Sequence, residues 1–166
     1  MKKLLLCMSI IFILFTILGC SNTNKEVAGE FFLGSTGYPF KSNETYYVVV
    51  PIEWTGESSA IIKSIELIKR NDKPINYEED GIEYDIFSAD PLKKTGVWGE
   101  SDIGDLKNIN DLEINGEGKI VLKLSLGEVM DDSERRVKIN FISDGEETEK
   151  IVVWKTLEQL NTTDTD

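Results

Sequence analysis

The chain has 166 residues, with 18 Lys and Arg against 30 Asp and Glu, no histidine and a formal net charge of −12. The absence of histidine excludes the commonest general base, the Ser-His-Asp triad and the usual zinc ligands. The acidic balance argues against nucleic acid as a partner. Catalysis, if any, would have to use carboxylates or a serine–lysine arrangement.

The first residues have the layout of a secretory signal peptide, because two lysines precede an apolar run over residues 4–18. The run ends in Ile17-Leu18-Gly19-Cys20. This tetrapeptide resembles the lipobox of bacterial lipoproteins, with an aliphatic residue three positions before the cysteine and a small residue directly before it. The resemblance implies that residues 1–19 are a signal peptide and that Cys20 is lipidated. The alternative is an uncleaved transmembrane helix, for which the run is slightly short.

Lipidation at Cys20 implies a location. Two or three acyl chains anchor a protein stably where one does not, so we expect a membrane partner through the lipid and a place on the extracytoplasmic face of the cell membrane. If the cell has two membranes, the sequence does not say whether the anchor lies in the inner or the outer membrane. Cys7 leaves with the signal peptide, so the mature domain has no cysteine pair for a disulfide.

Composition divides the rest of the chain. Residues 20–41 are rich in small polar residues and predict a tether with a first short strand at Glu30 to Leu33. Residues 42–157 predict the folded domain, and residues 158–166 a polar tail that we expect to be disordered from Asn161 onward.

The clearest strand lies near the start of the predicted domain. Every second residue is large and apolar: Tyr46, Val48, Val50, Ile52 and Trp54. A period of two places these side chains on one face of a strand. We therefore predict that this face lies in the core.

The next stretch, residues 60–70, has two interpretations. Ile61, Ile62, Ile65 and Ile68 match a helical stripe, with a serine before them as a possible N-cap. The same isoleucines are β-branched, which favours a strand. We prefer the strand because the stretch is short and its neighbours are strands, and the helix remains open.

Three later stretches repeat the period of two, and a fourth is a continuous apolar run. The inward residues are predicted to be Ile82, Tyr84 and Ile86; Ile120, Leu122, Leu124 and Leu126; and Val137, Ile139 and Phe141. The fourth stretch, residues 149–157, contains four consecutive apolar residues and predicts a last strand covered on both faces.

A long stretch rich in glycine, residues 89–110, separates these strands and has no clear periodicity. A connection of this length is either functional or folded over the surface. It contains Val97 and Trp98, which we single out as a possible partner-binding pair. The alternative is that Trp98 plugs one end of the fold.

Clustered carboxylates suggest calcium, since oxygen ligands in loops suffice for that ion. Asp102, Asp105 and Asp111 form one candidate set, and Asp131, Asp132 and Glu134 form the other. Neither set has the EF-hand spacing. The simpler interpretation of these residues is solvated turns, and an enzyme that uses paired carboxylates is a further alternative.

About seven short strands without a confident helix predict an all-β, antiparallel β-sandwich. Strand number, spacing and a final hairpin at Asp144-Gly145 resemble an immunoglobulin-like domain. We expect a non-catalytic binding module without a cofactor, whose partner is a protein or a cell-envelope component. A calcium-dependent adhesion module and a cell-envelope enzyme are the alternatives.

Overall fold

The structure is a computed structural model that describes residues 27–110 and 112–163. The predicted signal peptide, Cys20 and Asp111 lie outside these residues. The strands are β1 (Phe31–Leu33), β2 (Phe40–Lys41), β3 (Glu44–Trp54), β4 (Ala60–Lys69), β5 (Ile82–Ser88), β6 (Gly96–Trp98), β7 (Lys107–Asn108), β8 (Glu113–Ile114), β9 (Gly116–Leu126), β10 (Arg135–Ser143), β11 (Glu146–Val152) and β12 (Thr162–Thr163). The helices are single turns, α1 (Tyr77–Asp80), α2 (Glu100–Ile103) and α3 (Lys155–Glu158).

These strands form the predicted all-β sandwich. The first sheet has the order β1-β3-β9-β5-β7, and β6 also pairs with β3. The second sheet has the order β11-β10-β4-β8. Every pair within the two sheets is antiparallel. Among the strands that the structure describes, only β12 and β2 run parallel, and they form a small third sheet.

The inner faces of the two sheets form the core, and the alternation of the sequence is confirmed there. The five predicted residues of β3 all lie in the core, as do the inward residues of β9 and β10. Ile82 of β5 is buried, whereas Tyr84 and Ile86 pack against the core while partly exposed. Period-two burial follows from the pleat, because successive side chains point to opposite faces.

The stretch 60–70 is a strand over Ala60–Lys69, and a bulge explains its ambiguous pattern. Ile62 pairs with Phe141 and Ser64 pairs with Asn140, so one extra residue, Lys63, is inserted in β4. The inserted residue moves the buried positions from Ala60 and Ile62 to Ile65 and Leu67. This change of phase by one residue produced the helix-like spacing of the isoleucines.

The prediction that the last strand is covered on both faces is wrong. β11 ends at Val152 and lies at the edge of the second sheet. Ile151 and Val153 point away from the core and are 53% and 59% exposed. Trp154, just beyond the strand, is buried and donates its indole N–H to the carbonyl oxygen of Gly34 at 2.8 Å. The apolar run therefore joins an edge strand to a buried anchor.

Both ends of the described chain also pack against the sandwich. Val27 and Phe40, from the predicted tether, lie in the core together with Leu160 from the predicted tail. The prediction of a disordered tail is wrong for Thr162–Thr163, which form β12 and pair with β2. The backbone N–H of Thr162 also donates to the carbonyl oxygen of Val129 at 2.9 Å. Val27, Phe40 and Leu160 are isolated apolar residues in polar stretches. Their spacing shows no strand or helix period, so their burial could not be predicted from the sequence.

Candidate binding site

Residues 89–110, called here the crossing segment, run over the outer face of the first sheet. The segment leaves the sheet after β5 at one edge and reaches β3 through β6 at the opposite edge. It then returns through α2 to β7, which pairs with β5. It is therefore an ordered layer over the sheet, built from short elements.

The segment is held by a second, smaller apolar cluster. Tyr47, Val49 and Val121 project from the outer face of the sheet and are buried with Ile103 of α2. Partly buried residues complete this outer cluster: Phe87, Ala89, Trp98 and Leu106. Because both faces of β3 are covered, residues 46–50 are apolar without interruption.

Val97 and Trp98 belong to β6 and so point in opposite directions. Val97 packs against the main core, and Trp98 packs against the outer cluster. The indole N–H of Trp98 donates to the carbonyl oxygen of Lys94 at 3.1 Å, and the Lys93 ammonium lies 4.6 Å from the ring centroid. Trp98 thus lies on the outer face of the sheet rather than at an end of the sandwich, and it stays partly exposed.

A cavity of about 400 Å³ opens between the crossing segment and the sheet. Its apolar lining comes from Ala89, Ile103, Leu106 and Val121, and its polar lining from Ser88, Asp90, Lys93, Asp105 and Lys107. Such a combination suits noncovalent binding of a group that is partly apolar and partly charged. Of the predicted carboxylates, Asp105 lines the cavity.

Lysines hold the walls of this cavity in place. Lys119 of β9 donates to the carbonyl oxygens of Pro91 at 2.5 Å and Lys93 at 2.6 Å. The Lys93 ammonium donates in turn to the backbone carbonyl of Asp102 at 2.5 Å. These contacts join both halves of the crossing segment to the sheet, so the cavity is formed without a ligand.

The second predicted carboxylate set lies just before β10, away from the cavity. Asp132 accepts from the backbone N–H of Glu134 at 2.8 Å and lies 3.7 Å from the Lys69 ammonium. Glu134 pairs with Arg70 at 3.2 Å, while Asp131 is exposed. In the described part of the chain no three acidic side chains are grouped in a way that could hold a metal ion. Calcium binding stays a prediction.

Sequence reasoning missed a buried ion pair beside this set. The side chain of Asp80 is 3% exposed and lies 2.7 Å from the Lys69 ammonium. Asn76 caps α1 through its side chain, and Gly81 ends it with a φ of 67°. Asparagine and glycine five positions apart are the signal that could have placed this turn.

The environment of Asp80 favours its charged form. Burial opposes ionisation, but hydrogen bonds from Lys69 and the Asn76 backbone, with the nearby positive charges of Lys69 and Arg135, outweigh it and lower the pKa of Asp80. The hydrogen bond with Asp80 raises the pKa of Lys69 despite partial burial. Since the carboxyl pKa is depressed in the folded state, its stabilisation exists above the unfolded pKa and disappears as pH falls.

We expect Asp80→Asn to lower the free energy of unfolding by about 2 kcal/mol at pH 7, because the buried end of the ion pair loses its charge. As pH falls from the ordinary carboxyl range through the lowered pKa of Asp80, the difference from the unsubstituted protein should shrink, since the buried carboxyl then becomes protonated. Urea unfolding at pH 7 and at a series of lower pH values measures this. Glu79→Gln, which removes an equal charge at a position 50% exposed, is the control. An equal loss in both variants at pH 7 would contradict the assignment.

Comparison with protein-family models, curated protein sequences and solved structures gave no match for the chain. Among the described residues, no helix has the length and apolar character needed to cross a membrane.

Proposed function

We propose that the protein is a membrane-anchored, extracytoplasmic, immunoglobulin-like module that binds a protein or cell-envelope component without catalysing a reaction. We further propose that the crossing segment, residues 89–110, forms its binding site. The anchoring is supported by the lipobox resemblance that ends at Cys20, and the site by the geometry of the segment.

The immunoglobulin-like assignment is supported by strand order. The order β1-β3-β9-β5 in one sheet faces β11-β10-β4 in the other. Lettered along the chain, with β2, β6, β7, β8 and β12 as additions, these strands have the order A-B-E-D and G-F-C of a constant-type immunoglobulin sandwich. Such sandwiches present binding segments on a rigid scaffold.

The observation that carries the proposed site is the ordered layer over the first sheet. A simple connection between β5 and β9 would not need to cross the sheet and return. This one does so, buries Ile103 against Tyr47 and Val49, and leaves a cavity of about 400 Å³. The layer also holds Trp98 partly exposed, with the ammonium of Lys93, a residue of the cavity lining, 4.6 Å from its ring centroid. Trp98 is therefore available as an aromatic contact for a partner.

Affinity capture from detergent-solubilised membranes tests the proposal. The intact acylated protein is compared with Trp98→Ala and with Lys107→Glu, which reverses an exposed charge at the cavity. Tyr77→Ala is the control, since it removes an aromatic ring 49% exposed on α1, outside the segment.

We expect one specific partner to be captured by the unsubstituted protein and by Tyr77→Ala. Its recovery should fall about tenfold with Trp98→Ala, because truncation of a binding anchor costs more than about 1 kcal/mol. It should fall to a similar extent with Lys107→Glu, because the reversed charge repels a group that the lysine attracts. Capture of the same partner by all four proteins would remove the crossing segment as the binding site. Capture of no partner by any of them would count against the binding role itself.

A further inference from the structure

The outer edge of β11 carries no paired strand, although β1 lies beside its second half. β11 has seven residues and pairs with β10, and no described residue pairs with its other side. The turn at Asp144-Gly145 has two residues with φ values of 54° and 79°, so Ser143 and Glu146 form the first hydrogen-bonded pair. In an antiparallel pair, the backbone N–H and C=O groups of alternate residues point to the partner strand and away from it. Those of Glu146 point to β10, so those of Glu147, Glu149 and Ile151 point to the unpaired edge.

The opposite edge of the same sheet, along β4, is closed. The backbone N–H of Leu67 donates to the hydroxyl oxygen of Tyr84 at 3.0 Å, and its carbonyl accepts from Ile75 at 3.0 Å. The backbone N–H of Ile62 donates to Leu112 at 2.9 Å. The contrast indicates that the sandwich protects one edge and leaves β11 available.

The side chains along the open edge fall into two halves. Glu147 and Glu149, nearer the hairpin turn, make the first half acidic, and one carboxylate oxygen of Glu149 lies 3.3 Å from the Lys138 ammonium of β10. Ile151 and Val153 make the second half apolar and are 53% and 59% exposed. The glutamates of the first half repel an incoming strand that has acidic residues beside them. This edge therefore discriminates among incoming strands by charge.

An apolar slot lies beside the second half. It occupies about 270 Å³ between β11 and β1 and is lined by Glu30, Phe31, Phe32, Leu33, Ile151, Val152 and Val153. An ion pair of 3.2 Å between Lys150 and Glu30 closes one end. The hydrogen bond of 2.8 Å from Trp154 to Gly34 closes the other. On the far side, Phe32 is 56% exposed, so the opening of the slot is apolar.

We propose that β11 accepts an extended segment of a partner protein as an additional strand. The segment would carry basic residues beside Glu147 and Glu149, apolar residues beside Ile151 and Val153, and one apolar side chain in the slot. Main-chain hydrogen bonds supply affinity in this mode, and alternate side chains supply specificity. A second copy of the chain fits poorly, because its net charge is −12. The surface is separate from the crossing segment and does not depend on it.

A labelled peptide tests this surface on the full-length protein in detergent. The peptide Val-Val-Val-Thr-Lys-Thr-Lys, blocked at both ends, places its residues opposite Val153 to Glu147 in an antiparallel pairing. A second peptide is N-methylated at the two residues opposite Ile151 and Glu149, which removes two hydrogen bonds and keeps every side chain. A third has glutamates in place of the lysines. Fluorescence anisotropy measures each affinity.

We expect saturable binding of the first peptide, about tenfold or more weaker binding of the N-methylated peptide, and no binding of the acidic one. Ile151→Lys should weaken binding of the first peptide at least about tenfold. Leu92→Lys, which also replaces an aliphatic side chain with lysine but at a residue 89% exposed in the crossing segment, should leave it unchanged. Amide hydrogen exchange should slow at residues 147–151 on binding.

Equal affinity for the first and the N-methylated peptides would overturn the proposal, as would protection elsewhere or no binding at millimolar peptide. Self-association of the protein that Ile151→Lys abolishes would also overturn it, since the occupant would then be a second copy. Trp98→Ala should not change peptide binding, so the result here and the capture result at the crossing segment can be told apart.

Discussion

Trp54→Ala is expected to lower the free energy of unfolding by about 4 kcal/mol, because it empties the centre of the core. The Trp54 side chain is 2% exposed. Its ring centroids lie 4.6 Å from Phe31 and 5.0 Å from Phe141, and its N–H donates to the carbonyl oxygen of Ser58 at 2.8 Å. Urea unfolding followed by circular dichroism measures the loss.

Two controls separate cavity formation from a general effect of losing an aromatic ring. Phe32→Ala removes a ring that is 56% exposed, and it should cost less than about 1 kcal/mol. Gly56→Ala places a methyl group against the Trp54 ring, so it should destabilise the protein only while that ring is present. If Gly56→Ala cost the same in the Trp54→Ala background, the close approach of glycine and indole would be refuted.

Arg135→Met is expected to cost about 3 kcal/mol, because it leaves buried carbonyl groups without a donor. The Arg135 side chain is 3% exposed. Its guanidinium donates to the carbonyl oxygens of Met130 at 2.6 Å, Leu160 at 2.9 Å and Leu157 at 3.3 Å. These bonds connect β10 to the turn that precedes it and to the C-terminal segment.

Arg135→Met should affect the C-terminal segment locally, in addition to lowering the free energy of unfolding of the whole domain. Without Arg135, we expect faster amide hydrogen exchange over residues 155–163, which the guanidinium holds against the sandwich. Arg135→Lys should recover only part of the stability, since an ammonium cannot span the same set of acceptors. Arg70→Met, at a side chain 64% exposed, is the control and should change stability by less than about 0.5 kcal/mol. Normal exchange in the C-terminal segment of Arg135→Met would contradict the proposed link.

The candidate site was predictable in part. A long connection without a period identified residues 89–110, and the isolated Trp98 within it identified an aromatic that the strand pattern did not explain. The cavity was not predictable, since Val121 and Ser88 come from strands far apart in sequence. Asp105 lies at the cavity because the crossing segment returns over the sheet. Asp102, three residues earlier, instead accepts a hydrogen bond from Lys93 through its backbone carbonyl oxygen.

Local alternation was enough to determine the inward faces of β3, β9 and β10, because the pleat ties burial to every second residue whatever the strand pairs with. The tertiary structure alone decided what depends on a distant part of the chain. The outward Tyr47 and Val49 are buried because residues 89–110 cover them. The bulge at Lys63 appears only in the register with β10, and the charge of Asp80 is buried because Lys69 compensates it. Each of these features depends on a contact between residues that are far apart in the sequence. The periodicity of one strand contains no information about such a contact.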